Sequence, residues 1–168
     1  MNHSEFHIRL AEPSDLESLV TYNMALASET EGRQLERSLL QSGVESILAD
    51  SAKGFYVVME HMPTGKMIGQ LLITFEWSDW RNGVFWWLQS VYVHKEWRRQ
   101  GVFKALYDYV LAEGKRQGNV AGIRLYVEQD NAVAQEVYTQ AGLAAAPYKV
   151  FETDFILPIR SSDKPDLT

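Results

Sequence analysis

The junction Arg98-Arg99-Gln100-Gly101-Val102-Phe103-Lys104 decides the fold, because the hydrophobic periodicity of the chain changes there. Before it, residues 84–93 are almost continuously apolar, as a central strand covered on both faces requires. After it, apolar residues recur at helical spacing, which predicts a helix ending near Gly118. A strand is predicted next, over residues 123–127. Parallel neighbouring strands need such a crossover, so this part of the chain predicts a parallel β-α-β unit.

The same junction has the properties of an anion site. A helix that begins directly after a strand presents unpaired backbone N–H groups and the positive end of its dipole, and both attract phosphate. Gly101 lets the backbone approach a ligand closely. Four of the 16 basic residues fall within ten positions, at Lys95, Arg98, Arg99 and Lys104. A tight turn with solvated arginines is an equally good interpretation of the junction taken alone.

Two other phosphate-binding loops do not fit this junction. A P-loop needs two flanking glycines and a Lys-Ser/Thr pair, and a dinucleotide fingerprint needs three spaced glycines. The sequence has neither pattern here. A pyrophosphate bound without magnesium therefore fits the junction better.

The rest of the chain predicts one α/β (α+β) domain with a mixed, mostly antiparallel sheet flanked by helices. Ser14 is the predicted N-cap of the first helix, and Glu17 would complete a capping box. The further predicted elements are a strand over 6–11, a helix within 35–48, a hairpin of strands 55–60 and 67–76, a loop over 77–83, a helix over 131–141 and a strand over 148–157.

The composition excludes several classes of protein. With 168 residues, 46% of them hydrophobic, the chain predicts one domain over residues 1–160 and a mobile tail over residues 161–168. It has no cysteine, and its four histidines lack ligand spacing, so no metal site is expected. A formal charge of -6 argues against nucleic-acid binding. The absence of a signal peptide and of an apolar run of about 18 residues predicts a cytoplasmic protein without membrane attachment.

Two motifs carry a resemblance to a known family. Residues 91–103 resemble the acetyl-coenzyme A signature of the GNAT superfamily, an apolar strand followed by Arg/Gln-x-x-Gly-x-Gly/Ala. Arg98 and Gly101 match this signature, whereas Phe103 stands where the family usually has glycine or alanine. Because Phe103 lies on the apolar stripe of the helix, we expect its ring in the core and its N–H at the phosphate. The second motif resembles Asn-x-x-Ala-x-x-x-Tyr-x-x-x-Gly-Phe and is formed by Asn131, Ala134, Tyr138, Gly142 and Leu143.

The resemblance implies an acyl-coenzyme A N-acyltransferase fold and acetyl-coenzyme A as co-substrate. The pyrophosphate would be held at Arg98 and by N–H groups of the junction, at Arg99, Gln100, Gly101, Val102, Phe103 and Lys104. The main chain of Val91 and Val93 would pair with the pantetheine arm. Asn131 would cap the helix or bind the pantetheine amide. Tyr138 would protonate the departing thiolate.

The general base and the acceptor are less clearly indicated. Small-amine members of the family carry a glutamate on the strand before the junction, where this chain has Gln89, which cannot act as a base. Glu76 is the best remaining candidate and Asp79 the second, although a solvated loop carboxylate is at least as good an interpretation of both. Gln89 and Ser90 are expected to bind substrate or orient water. Aromatic residues suited to a cationic amine crowd this region, at Trp77, Trp80, Trp86 and Trp87.

The predicted function is acetyl transfer from acetyl-coenzyme A to a primary amine, such as a small amine, a polyamine or an amino-acid-like acceptor. Transfer is expected to be direct, in a ternary complex, since no cysteine exists to carry the acetyl group. Three alternatives stay open: a non-catalytic acyl-coenzyme A sensor, a protein N-terminal or lysine acetyltransferase, and an ATP-binding protein. The resemblance also implies a homodimer, with residues 148–157 as a possible interface.

Overall fold

The computed structural model describes residues 3–156, so the predicted tail at 161–168 lies outside the described residues. Strands and helices follow in the order β1 Phe6–Leu10, α1 Leu16–Glu31, α2 Arg37–Ala49, β2 Phe55–His61, β3 Lys66–Ser78, β4 Gly83–Val93, α3 Val102–Gln117, β5 Val120–Arg124 and α4 Ala132–Gln140. None of the helices within 3–156 has the length and apolar character needed to cross a bilayer.

One five-stranded sheet, in the order β1-β2-β3-β4-β5, organises these elements. Neighbouring strands are antiparallel, except that β4 and β5 run parallel and are joined through α3. The predicted mixed sheet and its parallel β-α-β unit are therefore confirmed. The hairpin of β2 and β3 and the end of α3 at Gly118 are confirmed as well.

Helices cover both faces of the sheet because successive strand residues point to opposite sides. On one face, α3 packs its buried Val102, Leu106 and Val110 against Ile73 and Trp86. Burying a side chain such as Leu106 contributes about 2 kcal/mol of hydrophobic stabilisation. On the other face, α1 and α2 cover β2 and the middle of β3, through Leu19, Val20, Val44, Val58 and Leu72.

The predicted start of α1 is wrong in detail. Ser14 lies inside a 3-10 turn, Pro13–Asp15, and the helix begins at Leu16. The Asp15 carboxylate accepts a hydrogen bond from Glu12 N. It also accepts hydrogen bonds from two guanidinium nitrogens of Arg9, at 2.6 and 3.0 Å. This partly buried ion pair favours Asp15 over Ser14 at the helix entry, because a carboxylate removed from water needs charged and N–H partners.

Two further predictions about strand ends need correction. The predicted loop over 77–83 starts too early, since Trp77 and Ser78 extend β3 and pair with Val84 and Gly83. The predicted strand over 123–127 is shifted, since β5 is Val120–Arg124. Its last register pair joins Trp87 of β4 to Arg124, so residues 125–127 find no partner strand in β4.

The predicted last strand is not formed in the part of the chain that the structure describes. Residues 148–156 have no strand structure, and β5 is an edge strand. Phe151 and Phe155 are 93% and 91% exposed. The alternating sequence there supplies strand propensity only, and a strand also needs a partner edge. The homodimer expected through this segment stays a prediction.

Candidate active site

The candidate site is a cleft that opens where β4 parts from β5. The two strands pair over residues 84–87 of β4, and β5 then ends at Arg124. Residues 88–93 of β4 consequently have no β5 partner along one edge. A β-bulge falls in the same half of β4, where the β3 register shifts between Gln70 and Leu72 and Ser90 adopts a left-handed φ of 49°. A bulge re-aims the strand and its peptide groups.

Two cavities lie in this cleft and share Val91, Val93, Arg98 and Asn131 as lining residues. The larger has a volume of about 520 Å³ and reaches the end of α1. The smaller has a volume of about 240 Å³ and lies against α3 and α4. Further lining residues of the larger are Leu26, Glu29, Thr30, Tyr92, Glu128 and Asp130, and those of the smaller are Phe103, Val133, Ala134, Val137 and Tyr138.

The junction before α3 has the backbone expected of an anion site. Arg99 and Gly101 adopt left-handed φ values of 61° and 83°. Ala105 N donates to Gly101 O at 3.0 Å as the first helical bond, so the N–H groups of residues 102–104 have no acceptor within the helix. Gly69 of β3 lets this end of α3 pack closely, because a Cβ there would lie 2.8 Å from Val102 Cγ1. The helix start is therefore fixed against the sheet.

Arg98 is anchored to the cleft wall. Its Nε donates to Val93 O at 2.9 Å, and its Nη2 donates to Glu29 Oε2 at 2.6 Å. The guanidinium also lies over the Tyr92 ring, whose hydroxyl donates to Glu29 Oε1 at 3.0 Å. The hydrogen bond from Arg98 is the main reason that the pKa of Glu29 is lowered. Arg98 thus joins α1 to the end of β4 and lines both cavities.

The other polar side chains of the junction face outward. Arg99 is exposed, Gln100 Nε2 donates to Glu96 O at 2.8 Å, and Lys104 pairs with Asp108 one helical turn on. The junction therefore offers a ligand its backbone, with the exposed guanidinium of Arg99 beside it.

The second motif closes the smaller cavity. Asn131 Oδ1 accepts a hydrogen bond from Ala134 N at 3.0 Å, which confirms the predicted helix cap. The Phe103 ring packs edge-on against Tyr138, with 5.4 Å between ring centroids, and stacks on Tyr107. The predicted apolar placement of Phe103 is therefore correct. Burial raises the pKa of Tyr138, so its phenol stays protonated at neutral pH.

Beyond the bulge, a continuous group of side chains extends from the cleft along the sheet; we name it the acceptor face. Gln89 Nε2 donates to Thr74 Oγ1, and Tyr126 Oη lies 3.4 Å from Gln89 Oε1. The Trp87 ring contacts Tyr126, with centroids 5.7 Å apart, and its Nε1 donates to Glu76. The acceptor face consists of Thr74, Glu76, Trp87, Gln89, Arg124 and Tyr126. Three of these, Thr74, Arg124 and Tyr126, were not expected from the sequence.

Glu76 has a partner on each carboxylate oxygen. Arg124 Nη1 donates to Oε1 at 2.7 Å, and Trp87 Nε1 donates to Oε2. Glu76 lies opposite Phe85 of β4 in the strand register. Phe85 is six positions before Val91, which lines both cavities, so several strand residues separate Glu76 from the cavities. Its role as the general base stays a prediction.

The structure does not bring Trp77 and Asp79 into the cavities. Trp77 is 61% exposed near the end of the β3–β4 hairpin, and Asp79 bonds the adjacent Trp80 N. Trp80 is also exposed, whereas Trp86 is buried in the core beneath α3. Of the four tryptophans proposed for an acceptor pocket, Trp87 is the one that lies on the acceptor face.

Carboxylates surround the larger cavity. Glu29, Glu128 and Asp130 line it. Arg98 lines the same cavity and pairs with Glu29 at 2.6 Å, so the acidic lining residues outnumber the basic one by three to one.

The sequence profile of the Acetyltransferase (GNAT) family matches residues 17–143, which span both motifs, the cleft and the junction. The chain belongs to this family. GNAT proteins use acetyl-coenzyme A as their acetyl donor. No curated protein sequence matches this chain.

Solved structures agree with the family assignment. A possible acetyltransferase from Clostridium difficile 630 is 40% identical, and the match covers 90% of this chain and 99% of that one with a TM-score of 0.84. Glucosamine-6-phosphate N-acetyltransferase from Arabidopsis thaliana is 18% identical, with coverages of 88% and 97% and a TM-score of 0.66. AAC(6')-Iy, in complex with the bisubstrate analog CoA-S-monomethyl-acetylneamine, is 17% identical, with coverages of 90% and 99% and a TM-score of 0.68. These last two likenesses show the GNAT fold alone.

The residues present fit the donor of a GNAT protein. Gly101 with its left-handed φ and the N–H groups of residues 102–104, which lack acceptors within the helix, would hold a diphosphate, with the guanidinium of Arg99 beside them. Val91 and Val93 of β4 line the smaller cavity together with Tyr138. Within residues 3–156, no three His, Asp or Glu side chains are grouped as metal ligands.

Proposed function

We propose that this GNAT protein is an N-acetyltransferase that moves the acetyl group of acetyl-coenzyme A directly to a small primary amine in a ternary complex. The observation that carries the proposal is the cleft between β4 and β5, which has the anion-binding start of α3 at one end and Tyr138 inside it. Glu29, Glu128 and Asp130 line the larger cavity of this cleft, and the acceptor face lies farther along the same strand, β4.

Main-chain groups hold the donor in this proposal. The N–H groups of residues 99–104 bind the pyrophosphate, with Arg99 beside them and Arg98 shaping the wall. Val91 and Val93 line both cavities, and their peptide groups pair with the pantetheine arm along the edge that β5 leaves open. Asn131, already the cap of α4, turns its side-chain amide toward the same cleft.

Tyr138 supplies a proton in the transfer step. Acetyl-coenzyme A provides an activated acyl carbon as a thioester. The neutral amine nitrogen forms a bond to that carbon while the carbon–sulfur bond breaks, and the sulfur takes the phenolic proton of Tyr138. The acylated nitrogen then loses one proton to give the amide, and solvent carries that proton back to the Tyr138 phenolate. The raised pKa of Tyr138 keeps the phenol protonated before each turnover.

A small cationic amine is the acceptor that the charges favour. An alkyl amine has a reference pKa of about 10.4, so it arrives protonated and must lose a proton before it attacks. Glu128 and Asp130 attract the ammonium ion into the larger cavity, where Glu29 already pairs with Arg98. We propose that Glu76 receives the proton through water across the acceptor face. Gln89 and Tyr126 orient the acceptor, and the Trp87 ring offers it an aromatic face.

The test is the release of free coenzyme A when acetyl-coenzyme A is mixed with a panel of acceptors. The panel contains monoamines, diamines, polyamines, amino acids, aminoglycosides and peptides with free termini or lysines. We expect turnover with small amines, and faster turnover with those that carry a second positive charge. Coenzyme binding without turnover across the panel would show a sensor instead, and turnover with peptides alone would show a protein acetyltransferase.

A further inference from the structure

A buried polar network lies directly beneath the bulge in β4. Gln70 of β3 is fully buried, and its Nε2 donates to Asn23 Oδ1 of α1 at 2.7 Å and to Ser90 O at 3.3 Å. Asn23 Nδ2 donates to Tyr56 Oη at 2.9 Å, and the Tyr56 hydroxyl also bonds the Ser90 side chain. The network thus joins α1, β2 and β3 to a single residue of β4.

Stability alone does not account for this network. Buried polar groups cost free energy unless every one of them is bonded, and apolar side chains of similar volume usually serve a core as well. Gln70 Oε1 is buried and has no hydrogen-bond partner among the residues that the structure describes. Apolar neighbours surround the network, since Leu71, Leu72 and Val58 are all buried.

The network supports a backbone conformation that serine avoids. Ser90 has a left-handed φ of 49°, which a non-glycine residue keeps only when its surroundings hold it. The Ser90 main-chain oxygen is fixed by Gln70, and its side chain is fixed by Tyr56. The main-chain oxygen and the side chain of Ser90 are therefore both hydrogen-bonded to other strands of the sheet.

Fixing Ser90 O also fixes the next N–H group. In a planar trans peptide the C=O of one residue and the N–H of the next point in opposite directions. Ser90 O accepts from the Gln70 side chain, so Val91 N–H points the opposite way. The strand register gives its direction: His94 N donates to Ile68 O of β3, and N–H directions alternate along a strand, so Val93 and Val91 turn theirs toward the edge that β5 leaves open. Val91 lines both cavities of the cleft.

We propose that Gln70, together with Asn23 and Tyr56, is a positioning residue for acetyl transfer. By holding the Ser90 bulge it aims Val91 N–H at the thioester carbonyl oxygen, on which negative charge develops as the amine attacks. A donor placed in advance at such an oxygen lowers the barrier more than one that must reorient. The inference rests on the proposed function, because it assigns the network a part in that reaction.

The main test is a double-mutant cycle between Gln70 and Ser90. Gln70→Leu removes the anchor and leaves an apolar side chain of similar size. We expect it to lower kcat by about 10-fold to about 100-fold, the range for a misplaced catalytic group. The Kd for coenzyme A should change by less than about threefold, because the junction at residues 99–104 is untouched. Gln117→Leu, on the exposed end of α3, is the matched control and should leave both constants unchanged.

The second half of the cycle separates positioning from packing. Glycine adopts a positive φ without help, so a Ser90→Gly background no longer needs the anchor. Adding Gln70→Leu to that background should cost less than about threefold in kcat. A Gln70 that merely fills the core would show the same loss of kcat in both backgrounds.

A measurement without substrate completes the test. Amide hydrogen exchange over residues 88–93 should become faster in Gln70→Leu, return toward the wild-type rate when Ser90→Gly is added, and stay unchanged in Gln117→Leu. If Gln70→Leu does not fold, Tyr56→Phe replaces it, because that change removes one hydroxyl and keeps the ring. The same kcat, Kd and exchange measurements then apply.

The inference is overturned if Gln70→Leu keeps kcat within about threefold of wild type, if its penalty persists on the Ser90→Gly background, or if exchange over residues 88–93 does not change. Failure of the proposed function would look different. Wild-type protein would bind coenzyme A and acetylate nothing, and amide exchange alone would then decide whether Gln70 holds the bulge.

Discussion

The two sides of the β4 cleft are built from different parts of the chain. The donor side consists of backbone, namely the peptide groups of Val91 and Val93 and the N–H groups of residues 99–104. The acceptor face consists of side chains, held together by contacts among Gln89, Trp87 and Tyr126. A site built from backbone is less sensitive to a change of side chain than a site built from side chains. The proposed donor contacts should therefore survive most side-chain substitutions, whereas the proposed acceptor contacts should not.

The largest loss of kcat is expected at Tyr138, the side chain that donates a proton to the sulfur in the proposed reaction. Tyr138→Phe should lower kcat by about 100-fold, since general acid catalysis contributes at least that much, and should leave the Kd for coenzyme A unchanged. Stopped-flow release of coenzyme A measures kcat, and calorimetry measures Kd. Tyr148→Phe, on an exposed side chain, is the control.

The pH dependence of kcat checks the same role. Burial raises the pKa of Tyr138, so the phenol loses its proton only above the ordinary tyrosine range of about 10. Wild-type kcat should therefore not fall between pH 7 and pH 10 through ionisation of Tyr138. A loss of kcat in that interval that disappears in Tyr138→Phe would contradict the assignment.

Replacing a glycine whose backbone contacts the ligand should weaken binding, and the two glycines at the ends of α3 test this. Gly101 and Gly118 both have left-handed φ values, of 83° and 70°. Alanine at either position should cost about 1 kcal/mol of stability. Gly101→Ala should also weaken coenzyme A binding by about 30-fold, equivalent to one charge-assisted hydrogen bond. Equal affinities in the two variants would show that the start of α3 does not hold the ligand.

On the acceptor face, Glu76→Gln tests the proposed base. We expect kcat to fall by about 10-fold, which is less than for a direct base, because Arg124 and Trp87 already occupy both carboxylate oxygens. Steady-state release of coenzyme A with a small amine measures kcat in the variant and in wild type. An unchanged kcat would remove Glu76 from the mechanism.

The smallest effect is expected at the carboxylates of the larger cavity. Asp130→Asn should raise KM for a cationic amine by about threefold and leave kcat unchanged, because one partly solvated ion pair contributes less than about 1 kcal/mol. Added salt should reduce the difference from wild type. Asp108→Asn, which lies on α3 beside Lys104, is the charge-matched control. A KM that is the same in both variants would contradict electrostatic capture at Asp130.

The donor side could be predicted from sequence because its signals are local. A strand, a glycine and an apolar helical stripe are adjacent in the sequence, and they predict the strand-to-helix junction at Gly101 and the packing of Phe103 against the core. The cap at Asn131 follows from the same kind of local pattern. The turn before a helix and the cap at its start depend mostly on neighbouring residues, so the local sequence predicts them.

The contacts around the larger cavity and on the acceptor face join residues that are far apart in the chain. Glu29 comes 69 positions before Arg98 in the chain, and Arg124 comes 48 positions after Glu76. Tyr126 contacts Gln89 because β5 ends at Arg124. The strand predicted from the sequence ended three residues later, at 127. The Ser90 bulge likewise depends on buried partners from three other elements, and no spacing within β4 announces it.

The central claim is that the start of α3 and the open edge of β4 bind coenzyme A, and isothermal titration calorimetry on the folded protein tests it most directly. The account predicts one site per chain, a Kd between about 1 µM and about 1 mM, and tighter binding of coenzyme A than of ATP. Absence of binding heat at several temperatures, with a native circular dichroism spectrum, would contradict it.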